Sequence, residues 1–321
     1  MINSRNIHSR GSLPSQSHQI GTAIITASIL ICSGIGCTGT ESAEVDSARD
    51  RSVALQGRDF TLLTWNCFNL FDEFDDPAKS DDLASAAEVE SKLDALGKVL
   101  RRANADVVLL QEVEHNELLT RLATGPLAGM GYVEWGLFEG SDPRGIDVAF
   151  ISKLPTHHVG SHLGERFPNE SKTRFYHFAR DALEIAVSPA GAPILLVNLH
   201  LRSMINGGDD HRLAEAMYVR SIVEGHLRNG REHIVVAGDL NDLPDSSTLK
   251  ALTAGETLGS VTETVDLKET WTYFRYQTQL DYILASKQML RRLDVDGVTI
   301  LRNPEVRAAS DHAAVVARFS L

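Results

Sequence analysis

Short apolar runs, separated by helical or polar stretches, fill the chain from about residue 59 to its end. Runs of about four to eight residues rich in Val, Ile and Leu, bounded by polar or turn residues, are typical of buried β-strands. The pattern predicts strands at Phe60–Trp65, Asp106–Leu110, Asp147–Ile151, Ala182–Val187, Ile194–Leu199, His233–Ala237, Leu280–Ala285 and Ala313–Phe319.

Two further segments have the spacing of amphipathic helices. Apolar residues recur at helical intervals in residues 89–100 and, less regularly, in residues 213–227, where Asp209 or Asp210 is available as an N-terminal cap. Runs such as VVLL, ILLV and IVVA are apolar on both faces, so these strands need cover on both sides. The sequence therefore predicts a layered α/β fold, built as one domain over residues 59–321.

The segment before residue 59 differs in composition from the rest of the chain. Residues 1–19 are polar with two arginines and no acid, and residues 20–36 are uncharged and largely apolar, which is the layout of an export signal. The sequence SGIGC at residues 33–37 also resembles a lipoprotein cleavage site, in which Cys37 would become the lipidated first residue. We therefore expect an export signal at residues 1–37, a polar linker at residues 38–58 and a periplasmic or extracellular location. Attachment to a membrane, through a lipid at Cys37 or an uncleaved leader, stays open.

Composition and charge exclude several classes of protein. With 43% apolar and 23% charged residues, the chain is close to soluble globular proteins and unlike collagen, coiled coils or multispanning membrane proteins. Lys and Arg number 31 against 43 Asp and Glu, a net charge of −12, and removal of residues 1–36, which hold two Arg and no acid, would make it −14. A polyanionic partner would need a local basic rim or a bound cation, because the overall charge does not attract phosphates.

Polar side chains stand at the ends of six of the apolar runs. Each one alone is typical of a cap or turn residue, since Asp and Asn bond their own backbone there. Strand ends of one sheet system can nevertheless converge on one crevice, and we expect that here. The residues at these ends are Asn66, Glu112, Asn198 with His200, Asp239 with Asn241 and Asp242, Asp281, and Asp311 with His312.

These residue types point to a hard divalent cation. Carboxylate and amide oxygens suit Mg²⁺ or Mn²⁺, whereas the body lacks the cysteine clusters and the HExxH helix of common zinc sites. Glu112 is a sufficient anchor for one ion, and a second ion stays open. A cation combined with histidines and arginines is typical of phosphoester hydrolysis, in which the metal offsets charge on the phosphoryl oxygens while a base activates water. His200 and His312 are the candidate histidines, because both lie at strand ends.

Taken in order, these motifs resemble those of a known family. The chain resembles the endonuclease/exonuclease/phosphatase superfamily, the deoxyribonuclease I-like phosphodiesterases, and in particular an exported bacterial member. The resemblance implies a four-layer sandwich of two facing mixed β-sheets flanked by helices. The matching motifs are Trp65-Asn66 with Asn69, Gln111-Glu112, Arg144–Ala149, Arg180-Asp181, Asn198–Ser203, Gly238–Asp242, Leu280–Leu284 and Ser310–His312.

The resemblance also implies a role for each matched residue. Glu112 resembles the main metal ligand, assisted by Asn66 and Asp311, and the ion would be Mg²⁺ or Mn²⁺. His312, oriented by Asp281, resembles the residue that activates the attacking water.

The remaining matched residues would act on the phosphate. Asp239 and Asn241 resemble the pair that orients the nucleophile and stabilises the phosphoryl oxygens, or that serves a second ion. His200 resembles the second histidine, at the scissile phosphate or the leaving oxygen. The resemblance places the substrate-binding residues at Arg144, Arg180, Asn198 and Arg202.

The function that this resemblance favours is an exported, monomeric, metal-dependent nuclease acting on DNA or RNA. The segment Asn198–Ser203 departs from the Asn-His-Phe-Lys-Ser of many exported nucleases, because its histidine is shifted by one position. The Asn-x-His spacing also resembles that of other branches of the superfamily, including lipid phosphodiesterases, so it does not indicate the substrate. The alternatives are a phospholipid or sphingomyelin phosphodiesterase that binds a lipid head group, with aromatic residues in 125–138 and 167–178 available to reach a bilayer, and a phosphatase of the same fold. A catalytically silent binding module is disfavoured, because a scaffold does not need the full set of acids, amides and imidazoles.

Overall fold

Two mixed six-stranded β-sheets face each other, and helices cover their outer faces. The computed structural model describes residues 59–205 and 207–321, so the expected export signal (1–37) and linker (38–58) lie outside the described residues. The strands are β1 (Asp59–Leu70), β2 (Val107–Val113), β3 (Glu134–Leu137), β4 (Asp147–Ser152), β5 (Thr156–Gly160), β6 (Phe167–Pro168), β7 (Phe175–Tyr176), β8 (Ala182–Val187), β9 (Ile194–His200), β10 (Ile234–Asp239), β11 (Leu258–Ser260), β12 (Asp281–Ser286), β13 (Thr299–Leu301) and β14 (Ala314–Ser320).

The helices are α1 (Ala86–Ala103), α2 (Asn116–Thr124), α3 (Asp209–Arg228), α4 (Ser247–Thr253), α5 (Val261–Thr264), α6 (Lys287–Leu290) and α7 (Pro304–Ala309). The predicted helices at 89–100 and 213–227 are α1 and α3. A capping box starts α1, in which the Ser85 side chain accepts a hydrogen bond from the Glu88 backbone and the Glu88 carboxylate accepts one from the Ser85 backbone. Among the described residues, none of the helices has the length and apolarity needed to cross a bilayer.

The strand order explains how the predicted strands are buried. The first sheet runs β13-β14-β1-β2-β4-β3 and the second runs β11-β12-β10-β9-β8-β5. The pairs β1–β2 and β9–β10 are parallel, and the other pairs in these sheets are antiparallel. Each predicted strand lies at an interior position of its sheet, where apolar side chains are covered on both faces.

Three apolar layers hold the four-layer sandwich together. Alternate residues of the two sheets, such as Leu62 and Leu109 from the first and Ile185 and Val235 from the second, fill the space between them. The opposite face of the first sheet packs against α1, α2 and α7, and that of the second packs against α3 and α4. The expected α/β four-layer architecture is confirmed.

The strands that sequence did not predict are the edges. β13, β3, β11 and β5 each pair on one side only, and β6 and β7 form a separate two-residue pair. Edge strands are short and partly solvated, so they lack the continuous apolar runs that mark the interior strands.

Candidate active site

Strand ends from both sheets meet at one edge of the sandwich. The carboxyl ends of the parallel strands β1 and β2 lie beside the amino end of the antiparallel strand β14, and β9, β10 and β12 are arranged in the same way in the second sheet. The pocket at this edge has a volume of about 680 Å³. Of the residues assigned a catalytic, metal-binding or substrate-binding role from the sequence, those that line it are Glu112, Arg144, Arg180, His200, Arg202, Asp239, Asn241, Asp311 and His312.

The carboxylates of Glu112 and Asp239 are held together across the two sheets by Asn66. The Asn66 Nδ2 donates to Glu112 Oε1 at 3.2 Å and to Asp239 Oδ2 at 3.0 Å. The Asn66 Oδ1 accepts the backbone N–H of Phe68 at 2.8 Å. In this arrangement Asn66 turns its amide nitrogen, and not the oxygen expected of a metal ligand, toward the carboxylates.

Local backbone geometry directs the side chains of Glu112 and Asn241 into the pocket. Glu112 and Asn241 both have a left-handed backbone, with φ of 63° and 50°, and the pairing of β2 with β4 shifts register between Gln111 and Val113. A shift of this kind changes the face on which a strand presents its side chain. The alternation of side chains between the two faces of the sheet is therefore interrupted at Glu112, and its carboxylate lines the pocket instead of the core.

His312 is bonded to a fully buried carboxylate. Its Nδ1 lies 2.7 Å from Asp281 Oδ2, and its Nε2 lies 4.0 Å from both Asp239 Oδ2 and Asp311 Oδ1. Burial lowers the pKa of His312, but the charge and hydrogen bond of Asp281, with Asp239 and Asp311, outweigh it and raise the pKa to about 10. The expected pairing of His312 with Asp281 is present, with Nε2 facing the pocket carboxylates.

His200 has the opposite electrostatic environment. Its Nε2 lies 3.5 Å from Asp239 Oδ2 and 3.8 Å from Glu112 Oε1. Burial, followed by the positive charges of Arg180 and Arg144, holds the pKa of His200 well below its usual range. His200 is therefore neutral at neutral pH and can present an Nε2–H toward the pocket.

The acidic residues of the pocket fit a divalent cation. Ligand atoms of Asp239, Asp281 and His312 lie within 4.8 Å of one another. Burial, followed by the neighbouring Asp281 charge, raises the pKa of Asp239 to about 7. Among the described residues, the buried Oδ1 atoms of Asp281 and Asp311 have no hydrogen-bond partner. Glu112, Asp239 and Asp311 all line the same pocket, and their carboxylate oxygens suit a hard cation such as Mg²⁺ or Mn²⁺.

Two arginines form the positive side of the pocket. Arg180 is buried, with one terminal nitrogen 2.8 Å from Asp142 Oδ2 and the other 3.3 Å from the carbonyl oxygen of Leu201. Arg144 is 40% exposed and donates to Asn69 Oδ1 at 3.1 Å. Asp142 thus orients Arg180, and sequence reasoning did not identify this acid because an Asp before Pro reads as an ordinary turn residue.

Asn198 does not line the pocket. It is completely buried between the sheets, where its Nδ2 donates to the carbonyl oxygens of Leu110 at 2.9 Å and Ala149 at 2.8 Å. Its Oδ1 accepts from Gln111 Nε2 at 2.7 Å. The expectation that Asn198 contacts substrate is therefore not met by this geometry, since every polar atom of the amide already joins the two sheets.

Several pocket residues carried no signal in the sequence. Tyr273 packs against the His312 ring, with ring centroids 4.9 Å apart. Exposed apolar or aromatic side chains form the rim of the pocket, and an isolated apolar residue in a loop is too common to be singled out. These rim residues are Phe68, Met204, Ile205 and Tyr276.

Known proteins resemble this chain in sequence and in fold. A similar curated protein is the inositol phosphosphingolipids phospholipase C of Schizosaccharomyces pombe, 27% identical over 177 residues, which are 51% of this chain and 39% of that protein. The chain thus spans well under half the length of this relative.

Solved structures with the same fold include the human Nocturnin catalytic domain with bound sulfate (TM-score 0.58, 17% identity, 82% of this chain and 94% of that one). Another is an endonuclease/exonuclease/phosphatase from Bacteroides vulgatus (TM-score 0.59, 16% identity), and a third is D. rerio TDP2 complexed with a single-strand DNA product (TM-score 0.56, 16% identity). Each of these two matches covers 82% of this chain and 99% of the other chain. The model of the Endonuclease/Exonuclease/phosphatase family matches residues 63–312. The chain belongs to this family.

Proposed function

We propose that the protein is a metal-dependent phosphodiesterase. The observation that carries this proposal is the convergence, in one pocket, of the His312–Asp281 pair with Glu112, Asp239 and His200. An oriented imidazole, a group of carboxylates and a pair of arginines are together the parts that phosphoester hydrolysis requires. A binding module would not need these charges buried at one point, because burying them is unfavourable.

Glu112, Asp239 and Asp311 would hold the cation, Mg²⁺ or Mn²⁺, whose charge would offset that of the phosphoryl oxygens. Asp281 keeps a proton on Nδ1 of His312 and leaves Nε2 free to exchange a proton with water. The carboxylates raise the pKa of His312 to about 10, so it accepts a proton at neutral pH only when their charge is offset.

The positive side of the pocket would bind the phosphate. Arg180, fixed by Asp142, and Arg144 offer the planar fork that matches two phosphate oxygens. Burial and the arginine charges hold the pKa of His200 well below its usual range, so a neutral His200 would donate a hydrogen bond from Nε2–H to a phosphoryl or leaving oxygen.

Nucleic acid is the first substrate class that we propose. Tyr276 is 64% exposed at the rim and lies next to Tyr273, with ring centroids 5.7 Å apart. Exposed aromatic rings beside bound phosphate can stack on unpaired bases, so single-stranded DNA or RNA suits this rim. D. rerio TDP2, which has the same fold, is solved with a single-strand DNA product.

A phospholipid is the second candidate substrate. Met204 and Ile205 stand side by side at the rim, and Ile205 is 69% exposed. Adjacent exposed aliphatic side chains beside a phosphate pocket can enter the edge of a bilayer. The relative that acts on phosphosphingolipids, by its name, supports the same class.

The test of the chemistry is hydrolysis of bis(p-nitrophenyl) phosphate by the purified protein with Mg²⁺ or Mn²⁺, followed by addition of EDTA. We expect activity that EDTA abolishes and that Glu112→Gln lowers by ~10²-fold or more, since a main ligand is lost. Glu117→Gln is the matched control, because Glu117 is an exposed residue of α2 that does not line the pocket. Activity that survives chelation, or equal activity of the two variants, contradicts the metal role.

The two substrate classes are separated by assaying single-stranded DNA, plasmid, RNA, sphingomyelin and phosphoinositide in parallel. A nuclease should lose activity in Tyr276→Ala and keep it in Met204→Ser/Ile205→Ser. A lipid phosphodiesterase should lose activity on lipid vesicles in Met204→Ser/Ile205→Ser and keep it in Tyr276→Ala.

Export, and lipidation of Cys37, are further parts of the proposal. They rest on the leader composition alone. Fractionation of cells that express the full chain or Cys37→Ser tests both, because only a lipidated protein should move from membrane to soluble fractions on this substitution.

A further inference from the structure

A carboxylate and a guanidinium are buried near the start of α3, at a spacing of three residues. The buried stripe of this helix is apolar at Ala216, Val219 and Val223, which pack against the second sheet. Toward the start of the helix the same stripe continues with Glu215 and Arg212, which are 0% and 2% exposed. Charged side chains are seldom buried this completely unless they are paired, so their partners show what they hold in place.

The carboxylate of Glu215 binds the main chain of two segments that reach the pocket. Its Oε1 accepts a hydrogen bond from the backbone N–H of Ala179 at 2.7 Å, and its Oε2 accepts one from the backbone N–H of Arg202 at 2.7 Å. Ala179 directly precedes Arg180, and both Arg180 and Arg202 line the pocket. Each oxygen of one carboxylate therefore holds the main chain at one pocket arginine.

Arg212 holds the other polar group of the Arg202 main chain. Its Nη1 donates to the carbonyl oxygen of Arg202 at 3.1 Å, and its Nε donates to Asp242 Oδ2 at 3.0 Å. Residues three apart lie on the same face of a helix, so Glu215 and Arg212 reach the same segment together. The N–H and the carbonyl of Arg202 are thus both bound by charged side chains of α3, and such charge-assisted hydrogen bonds are the stronger kind.

The two segments that Glu215 binds are also joined to each other. Arg180 Nη1 donates to the carbonyl oxygen of Leu201 at 3.3 Å. Asn241 Nδ2 donates to the same oxygen at 3.0 Å. A displacement of residues 201–202 would therefore move the partners of Arg180 and Asn241 as well.

The charge on Glu215 is favoured by the groups that it holds. Burial raises the pKa of Glu215 to about 7, whereas the N–H groups of Ala179 and Arg202 and the charges of Arg180 and Arg202 act in the opposite direction. An ionised carboxylate offers two acceptor oxygens, one for each N–H. Glutamine has a similar shape but only one acceptor oxygen, so it cannot bind both segments.

We propose that Glu215 is a positioning residue for Arg180 and Arg202, a role that rests on the proposed phosphodiesterase function. The forked guanidinium of arginine binds phosphate well only when its plane matches two phosphate oxygens. A displacement of ~1 Å at a binding group can lower a rate by ~10²-fold. Glu215 would not touch the substrate, because it acts by fixing the main chain from which the two guanidinium groups extend.

The first test is a double-mutant cycle in kcat/KM on bis(p-nitrophenyl) phosphate. We expect Glu215→Gln to lower kcat/KM by ~10- to 10²-fold in the wild-type background. The loss should be smaller in the Arg202→Ala background and in the Arg180→Ala background, because one positioned guanidinium is already absent. Both backgrounds keep the N–H groups that Glu215 binds, so an effect of Glu215 on stability alone would be the same in all of them.

Glu224→Gln is the matched control, because Glu224 lies farther along α3 and bonds Arg220 of the same helix at 2.7 Å. It should keep the kcat/KM of wild type. Independent sites have additive effects to within about twofold. A loss from Glu215→Gln that is undiminished in either arginine background would therefore overturn the proposal.

A second measurement is the Kd of inorganic phosphate, determined by calorimetry with Mg²⁺ present. Glu215→Gln should raise this Kd by about tenfold or more, as expected when one hydrogen bond to a charged group is lost, and Glu224→Gln should not. Glu215→Asp, which keeps the charge but is too short to reach both segments, replaces Glu215→Gln if that variant does not fold. A folded variant with the Kd of wild type contradicts the positioning role. A wild type that binds phosphate without hydrolysing the diester contradicts the proposed function instead and leaves the comparison of Kd values intact.

Discussion

Nδ1 of His312 lies 2.7 Å from Oδ2 of the fully buried Asp281, although the two residues belong to different sheets. His312 precedes β14 of the first sheet, and Asp281 begins β12 of the second. This bond therefore joins the two halves of the sandwich and sets the tautomer of the imidazole at the same time.

Replacing Asp281 by Asn should remove the negative charge while keeping a side chain of similar size. We expect kcat on bis(p-nitrophenyl) phosphate to fall by ~10²- to 10⁴-fold, the range of general acid–base contributions, with a smaller change in KM. Asp266→Asn is the matched control, since Asp266 lies outside the pocket. A kcat equal to wild type would show that Asp281 does not orient the proton-transfer group.

The raised pKa of His312 should make the stability of the metal-free protein depend on pH. The pKa is about 10 in the folded protein against 6.5 for an ordinary histidine, so protonation favours folding. This contribution is fully present below about pH 6.5 and is lost as the pH rises through about 10. In EDTA, the difference in free energy of unfolding between wild type and His312→Gln should shrink across this range in urea denaturation. A difference that does not change with pH contradicts the raised pKa.

Asn198→Ala should affect stability and leave the chemistry intact. The substitution removes the two hydrogen bonds that Asn198 donates to the buried carbonyls of Leu110 and Ala149, which costs about 1–3 kcal/mol in the free energy of unfolding. Urea denaturation measures this loss, and kcat/KM of the folded enzyme should stay close to wild type. Asn229→Ala, at the exposed end of α3, is the control. A variant that is as stable as wild type but has a raised KM would instead indicate that Asn198 contacts the substrate.

The interior of the fold was predictable because continuous apolar runs mark strands that are covered on both faces. Register shifts and left-handed residues were not predictable, because Glu112 adopts φ of 63° through its place in the sheet and not through its own preference. The ends of the apolar runs indicated which polar residues would converge. The role of each residue in that group was harder to predict, since Asn198 and Asn66 end apolar runs in the same way as Glu112 and yet turn their amides to other protein groups.

Asn66 bonds one carboxylate from each sheet, so the pocket can form only when the two sheets pack together. Neither sheet by itself brings Glu112 next to Asp239, because each carries one of these two carboxylates. A folding intermediate in which both sheets had formed but not yet docked would have normal secondary structure and no pocket. Hydrolysis would begin only when the halves join, so turnover serves as a direct readout of that last assembly step.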